Sequence, residues 1–175
     1  MSGCDRPGLM PVEAALARLL AQAEASAIVE TERVKLSDAA GRVLAAPLIA
    51  TLDLPPWANS AMDGYALRLG DWNGEPLVVS QRIQAGSAPA PLQPGTCARI
   101  FTGAPLPTGA DTVEMQENAV LGEDGRVAFS EPLKLGQNVR AQGQETRIGD
   151  SVLPAGTCLG PIELGLAASL GCAEL

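Results

Sequence analysis

Between Ile49 and about Glu145 the chain is cut by glycine and proline into short runs, and this punctuation sets the first limit on its fold. Glycine tolerates positive φ and proline has no N–H to donate, so both end helices and turn strands. Nineteen glycines and fourteen prolines make about a fifth of the chain, against a usual ~12%. The runs that survive are strand-like: Leu77 to Ile83, Ala98 to Phe101, Thr112 to Gln116, and a hairpin of Ala119 to Leu121 with Arg126 to Phe129 around Gly122-Glu123-Asp124-Gly125. This segment reads as a small all-β unit.

The flanks keep longer periods. From Pro11 to Ala25, the apolar residues Val12, Leu16, Leu19, Leu20 and Ala23 fall on one helical face, with Pro11 suited to the first helical position. Val34 and Leu36 alternate with Arg33 and Lys35, which predicts a half-buried strand over Ile28 to Leu36. Ser37 offers an N-cap for a short helix through Leu44, against Gly41, and Pro47 ends it. Ser151 to Leu153 is strand-like, and Pro161 to Leu170 is a helix with Ile162, Leu166 and Leu170 on one face and Gly171 as its stop. The expected fold class is therefore α+β, mainly β. A discontinuous mixed α/β domain, residues 1–48 plus 146–175, carries an inserted β domain, residues 49–145.

Hydrophobic residues are 46% and charged residues 18% of the 175, a globular balance in a chain long enough to bury roughly 70% of its unfolded surface. Twenty acidic against twelve basic residues give a net charge of −8, which repels a phosphate backbone, and five aromatic residues are too few for a base-stacking platform. Nucleic acid is not the expected partner. There is no histidine, so imidazole bases, Ser-His or Cys-His nucleophiles and His-ligated zinc are excluded. Cys4, Cys97, Cys158 and Cys172 include no close pair of the kind a zinc or redox motif needs. They read as small apolar residues in a reducing compartment. With no basic stretch followed by an apolar run at the N-terminus and no apolar run of membrane-spanning length, the expected location is the cytoplasm, off the membrane.

Three clusters carry polar groups on turns. Asn59-Ser60-Ala61-Met62-Asp63-Gly64-Tyr65-Ala66 places a carboxylate on a tight turn before an apolar strand, beside a loop stiffened by Pro55 and Pro56. Asp63 and Ser60 there could grip a ligand or a metal, or simply form the turn. In the run from Arg99 to Asp111, Thr102 is left accessible after a strand, and Gly103 could let backbone N–H groups approach an oxyanion. Ordinary loop punctuation explains the same residues. From Gly136 to Glu145, Arg140 could bind an oxyanion with two donors while Glu145 binds a divalent cation or positions water, or the two could be a surface ion pair.

Together and in this order, the stretches NSAMDGYA at 59–66, RIFTGAPLPTGAD at 99–111, GQNVRAQGQE at 136–145 and GDSVLPAGT at 149–157, followed by PIELGLAASLG, closely resemble the molybdopterin molybdenumtransferase family. This family is known as MoeA in bacteria and is represented in animals by the C-terminal domain of gephyrin. The resemblance implies an enzyme that inserts molybdate into adenylated molybdopterin and releases AMP, assisted by a divalent cation such as Mg2+. It implies a homodimer of elongated subunits, with an active cleft between the β domain of one subunit and the α/β molybdopterin-binding domain of the other. That α/β domain is expected to begin after Leu175. A molybdopterin adenylyltransferase is the implied upstream partner.

Carried over by position, Asp63, Thr102, Arg140 and Glu145 match residues implicated in activity, with Asp63 also the metal ligand and Ser60 and Gly103 placed for cofactor binding. The chain departs from the family where Gly-Glu-Asp is usual: Gly143-Gln144-Glu145 removes one carboxylate and lengthens the other. Because no phosphate loop or dinucleotide fingerprint is present, the chain is expected to be one wall of a composite site and inactive alone. The alternative is a non-catalytic dimerisation or assembly module, distinguished by whether Asp63, Thr102 and Arg140 converge on one cleft. A further alternative is a β domain that binds free molybdate unaided.

Overall fold

The computed structural model describes residues 10–130 and 132–175. It resolves into two compact units, one up to Val34 and one over Lys35–Leu175.

The first unit holds helix α1, Val12–Ala25, with Pro11 before its first turn and the Pro11 carbonyl accepting from the Ala15 amide. No residue of α1 is buried, and its apolar stripe of Val12, Leu16, Leu19 and Leu20 is exposed. The strand expected over Ile28 to Leu36 does not form. Alternation needs a neighbouring strand before it becomes a ladder, and here Ile28 and Val29 are 92% and 85% exposed, with Lys35 alone bridging Glu174.

Among its described residues the second unit contains ten short strands and one α-helix. In chain order they are β1 (Leu48–Ile49), β2 (Asn59–Ser60), β3 (Gly64–Leu67), β4 (Leu77–Ile83), β5 (Thr96–Ile100), β6 (Thr112–Met115), β7 (Ala119–Leu121), β8 (Arg126–Phe129), β9 (Val139–Arg140) and β10 (Ser151–Leu153), then α2 (Pro161–Ser169). The helix expected from Ser37 to Leu44 shrinks to one 3-10 turn, Leu36–Asp38. Gly41 is left-handed at φ +75°. From there the backbone binds the later chain instead: the Gly41 amide donates to Leu159, Leu159 to Arg42, and Leu44 to Thr157. Farther on, β1 pairs antiparallel with β10, and the Thr51 hydroxyl donates to the Leu170 carbonyl. Ala39, Ala50, Leu159, Ala167 and Leu170 are buried in this region. Residues preceding the main sheet are thus tied to residues following it.

The main sheet is mixed, six strands in the order β6-β3-β5-β4-β8-β7. The fold is sheet-dominated with two helices, as the sequence predicts. The sheet has an apolar cluster on each face: Ala66, Ile83, Ala98, Ile100 and Val113 on one, Leu67, Leu77, Cys97 and Val127 on the other. Burial pushes the Cys97 thiol up to about 12, so it stays protonated and inert. Register places Glu114, Tyr65, Arg99 and Arg82 in one row across β6, β3, β5 and β4. Gly64 permits the approach of β3 to β6, because a Cβ there would lie 1.9 Å from the Glu114 carbonyl oxygen.

Candidate functional site

The loops at one end of this sheet, before β3 and after β5 and β6, bring two of the sequence clusters together. Asp63 closes the turn into β3, its carbonyl accepting from the Gln116 amide at 3.0 Å. Its Oδ1 accepts two hydrogen bonds from Thr102, one from the backbone N–H at 2.8 Å and one from the hydroxyl at 2.7 Å. The Thr102 hydroxyl and then its amide hold the Asp63 carboxyl below its ordinary value against the opposing effect of burial, with the Arg99 charge a weaker aid. Asp63 is ionised at neutral pH and unsuited to act as a general acid. It is an acceptor, with Oδ2 still available.

The Phe101-to-Ala104 loop is fastened on both sides. Gly103, at φ +79°, donates its amide to the Ser60 carbonyl, and Ala104 donates to Phe101. The Ser60 amide donates back to Ala104, and Leu106 donates to Ala58. The amides of 102–104, Gly103 included, therefore all have acceptors within the chain. Ser60 is fully buried, and its hydroxyl donates to the Met62 carbonyl, so it shapes the Asp63 turn.

Arg140 lies one strip away. β9 pairs antiparallel with β2, Asn59 opposite Arg140, and the Arg140 Nη1 donates to the Asn59 Oδ1 at 3.5 Å. Asn59 also bridges Pro105, so β2 runs between β9 and the Thr102 loop. Ala61 donates to the carbonyl of Asn138, a left-handed residue at φ +54°. Asp63, Thr102 and Arg140 thus sit on adjoining strips, although Arg140 does not bond to the other two. Glu145 is not joined to them. Its amide donates to Leu54, and its exposed side chain meets no described partner. The acid engaged nearby is Asp53, which accepts from the Gln142 side chain and the Ile148 amide.

Among the described residues no three His, Cys, Asp or Glu side chains lie close enough to hold a metal ion. A divalent cation would find one free carboxylate oxygen at Asp63, not an assembled site.

Two parts of this region escape reading from sequence. Arg99 lies with its guanidinium 5.2 Å from the Tyr65 ring centroid and 4.6 Å from that of Phe101, donating to the Gly64 and Ile100 carbonyls and to Gln116 Oε1. Arg82 lies 4.8 Å from the same Phe101 centroid. The other is Glu114, a fully buried carboxylate that accepts from Met115 N–H, Asn118 Nδ2 and Gln137 Nε2. It ties the 134–138 loop, which leads into β9, to the edge of the sheet. Both depend on cross-strand register, which the sequence alone does not display.

A family model described as "MoeA N-terminal region (domain I and II)" matches residues 10–171. The chain is 44% identical over 148 residues to a molybdopterin molybdenumtransferase of Haemophilus influenzae, covering 83% of this chain and 37% of that protein. It is 39% identical over 175 residues to the same-named protein of Synechococcus elongatus, covering 95% and 43%. A crystal structure of the molybdopterin biosynthesis moeA protein from Pyrococcus horikoshii superposes with a TM-score of 0.77 at 33% identity, covering 85% of this chain and 41% of that one. The chain spans about two fifths of the length of these relatives. No helix among the described residues is long and apolar enough to cross a membrane.

Proposed function

The chain belongs to the MoeA N-terminal-region family, and from that premise we propose that it is the front part of a cytoplasmic transferase of molybdenum cofactor biosynthesis. The whole enzyme would insert molybdate into adenylated molybdopterin, made by an upstream adenylyltransferase, and release AMP. In this reading, Asp63, Thr102 and Arg140 form one wall of the cleft, and an α/β domain from outside the chain forms the other. Residues 49–145 would be the inserted β domain that presents this wall, carried by residues 1–48 and 146–175.

The observation that carries the proposal is the doubly hydrogen-bonded Asp63–Thr102 corner. It joins the two most distinctive family stretches, 59–66 and 99–111, through a charged group that a mere turn would not need to fix twice. An ionised acceptor at Asp63 favours N–H donors or a cation on the substrate, while Arg140 favours its anionic parts. Magnesium, if used, would take one ligand from Asp63 and the rest from substrate phosphate or the remainder of the enzyme. Glu145 would contribute only after the 141–146 loop moves toward the corner.

The test is Asp63→Asn in the full-length enzyme, with cofactor formation and thermal stability measured in parallel. An Asn satisfies a turn nearly as well as Asp, so a near-normal melting temperature with molybdenum transfer reduced at least about a hundredfold is expected. Retained transfer would overturn the assignment.

The exposed stripe on α1 favours a second role beside the first, self-association. A homodimer built on Val12, Leu16, Leu19 and Leu20 would sediment at twice the mass of one chain, and Leu16→Glu with Leu20→Glu would return it to a monomer.

A further inference from the structure

Among the described residues Arg82 is a cation without an ion-pair partner, in a chain of net charge −8. Its guanidinium makes no hydrogen bond or ion pair with any described residue, and its side chain is exposed. Its position is nonetheless fixed by the sheet. β4 and β5 are parallel with Arg82 opposite Arg99, and the Phe101 amide continues that pairing to the Ile83 carbonyl at 3.2 Å. This register brings two guanidiniums onto one ring, Arg82 at 4.8 Å and Arg99 at 4.6 Å from the Phe101 centroid. Phe101 is the residue before Thr102, so the ring that carries both guanidiniums leads directly into the loop that bonds Asp63, and the Arg99 charge acts on the Asp63 carboxyl.

The two arginines are not equivalent. Arg99 directs its donors at the Gly64 and Ile100 carbonyls and at Gln116, all neutral acceptors, so it contributes charge but has few donors left for a ligand. Arg82 commits none of its donors to a described residue. Like charges gathered around one ring repel each other, and an aromatic face offsets only part of this at an exposed position. A dianion bound at Arg82 offsets the repulsion from the Arg99 charge and takes up the Arg82 donors in the short, charge-assisted hydrogen bonds that arginine forms with tetrahedral oxyanions.

We propose that Arg82, carried on Phe101 and backed by the charge of Arg99, is an anion-binding residue that holds a tetrahedral dianion beside the Asp63–Thr102 corner. The proposal deepens the reading above, on which it rests for the identity of the anion: the phosphate of a nucleotide ester, or molybdate itself. A substrate with an anionic group at Arg82 and N–H donors or a cation at Asp63 would span the two charges in one orientation.

The chain of 175 residues is titrated with AMP, inorganic phosphate and molybdate at low ionic strength, following heat and the arginine side-chain NMR signals. Saturable binding of at least one of the three is expected, with affinity for it reduced about tenfold by Arg82→Gln and by a smaller factor by Phe101→Leu. Arg68→Gln, which alters an arginine already bonded to the Gly109 carbonyl and facing Asp71, leaves affinity unchanged. Preference for AMP identifies the nucleotide phosphate and preference for molybdate the metal oxyanion. The absence of saturable binding, or equal binding by Arg82→Gln, overturns the proposal. Transfer activity is not part of this measurement, so a failure of the transferase reading at Asp63→Asn would be seen separately.

Discussion

The Asp63–Thr102 corner and the strip from Val139 to Glu145 approach the same region with opposite degrees of restraint. At the corner every amide from Thr102 to Ala104 has an internal acceptor, and the carboxylate is held by two donors from one residue. On the strip, the backbone is ordered by pairing of β9 with β2, yet the Arg140 side chain keeps one hydrogen bond at the limiting distance of 3.5 Å and the Glu145 side chain none to a described residue. Fixed dipoles and charges need no rearrangement when a ligand arrives, which is how preorganised groups stabilise charge. Side chains left loose adapt to a surface supplied later. The corner thus satisfies its own donors within this chain, whereas the strip leaves a guanidinium and a carboxylate for a ligand to engage.

The largest predicted effect breaks the corner from below. Gly64→Ala places a Cβ 1.9 Å from a backbone oxygen, which no rotamer can relieve, so β3 and β6 must separate. A loss of about 3–5 kcal/mol in urea-induced unfolding is expected, and Asp63 loses its position at the same time. A change under 1 kcal/mol would show that the strands adjust freely.

Next in size is the tether of the strip. Glu114→Ala strands the partly buried amide donors of Asn118 and Gln137, which costs about 1–3 kcal/mol. Hydrogen exchange should rise in residues 134–140 while the amides of 102–104 stay protected. Equal loosening of both would erase the contrast between them.

Thr102→Val acts more gently, removing the hydroxyl donor to Asp63 and keeping the amide. The Asp63 carboxyl should then rise toward its ordinary value of 3.8, as read by NMR titration of the side-chain carbon. The sign for stability follows from the lowered native value. Asp63 favours the folded state above pH 3.8, and that contribution is lost as the pH falls through the native pKa. Thr102→Val should flatten this acid-side dependence; an unchanged titration would mean that the hydroxyl bond is absent in solution.

What could be read from sequence divides along physical lines. α1, α2, β4 and the β7–β8 hairpin were legible because each repeats its period long enough to be seen or is marked by a Gly-containing turn. β2 and β9 have two residues each and no period at all, yet they position Arg140. Ile28 to Leu36 shows the reverse error, since Val34 and Leu36 alternate with charged neighbours but no second strand lies alongside. At the site, Asp63 and Thr102 were legible as polar residues on turns. Arg82 was not, because its environment depends on the parallel register of β4 and β5, and that register is set by the whole 84–95 connection. Glu114 likewise looks like one more surface acid in a strand until the 134–138 loop folds over it.

The smallest expected effect on folding sharpens the comparison most. Arg140→Gln keeps a long polar side chain and removes the charge, and the Arg140 side chain is tied to the described residues through a single weak bond to Asn59. Exposed side chains with such slight attachment usually change stability by less than about 0.5 kcal/mol, so thermal unfolding of the variant should overlay that of the parent. If the strip is finished by an anionic ligand, the same substitution removes a charge-assisted contact and should lower cofactor formation by the full-length enzyme about tenfold or more. Arg140→Lys restores charge but not the planar fork, so it should recover part of the loss. A variant as active as the parent would place Arg140 outside the cleft, and one that unfolds early would show the strip to be as firmly built as the corner.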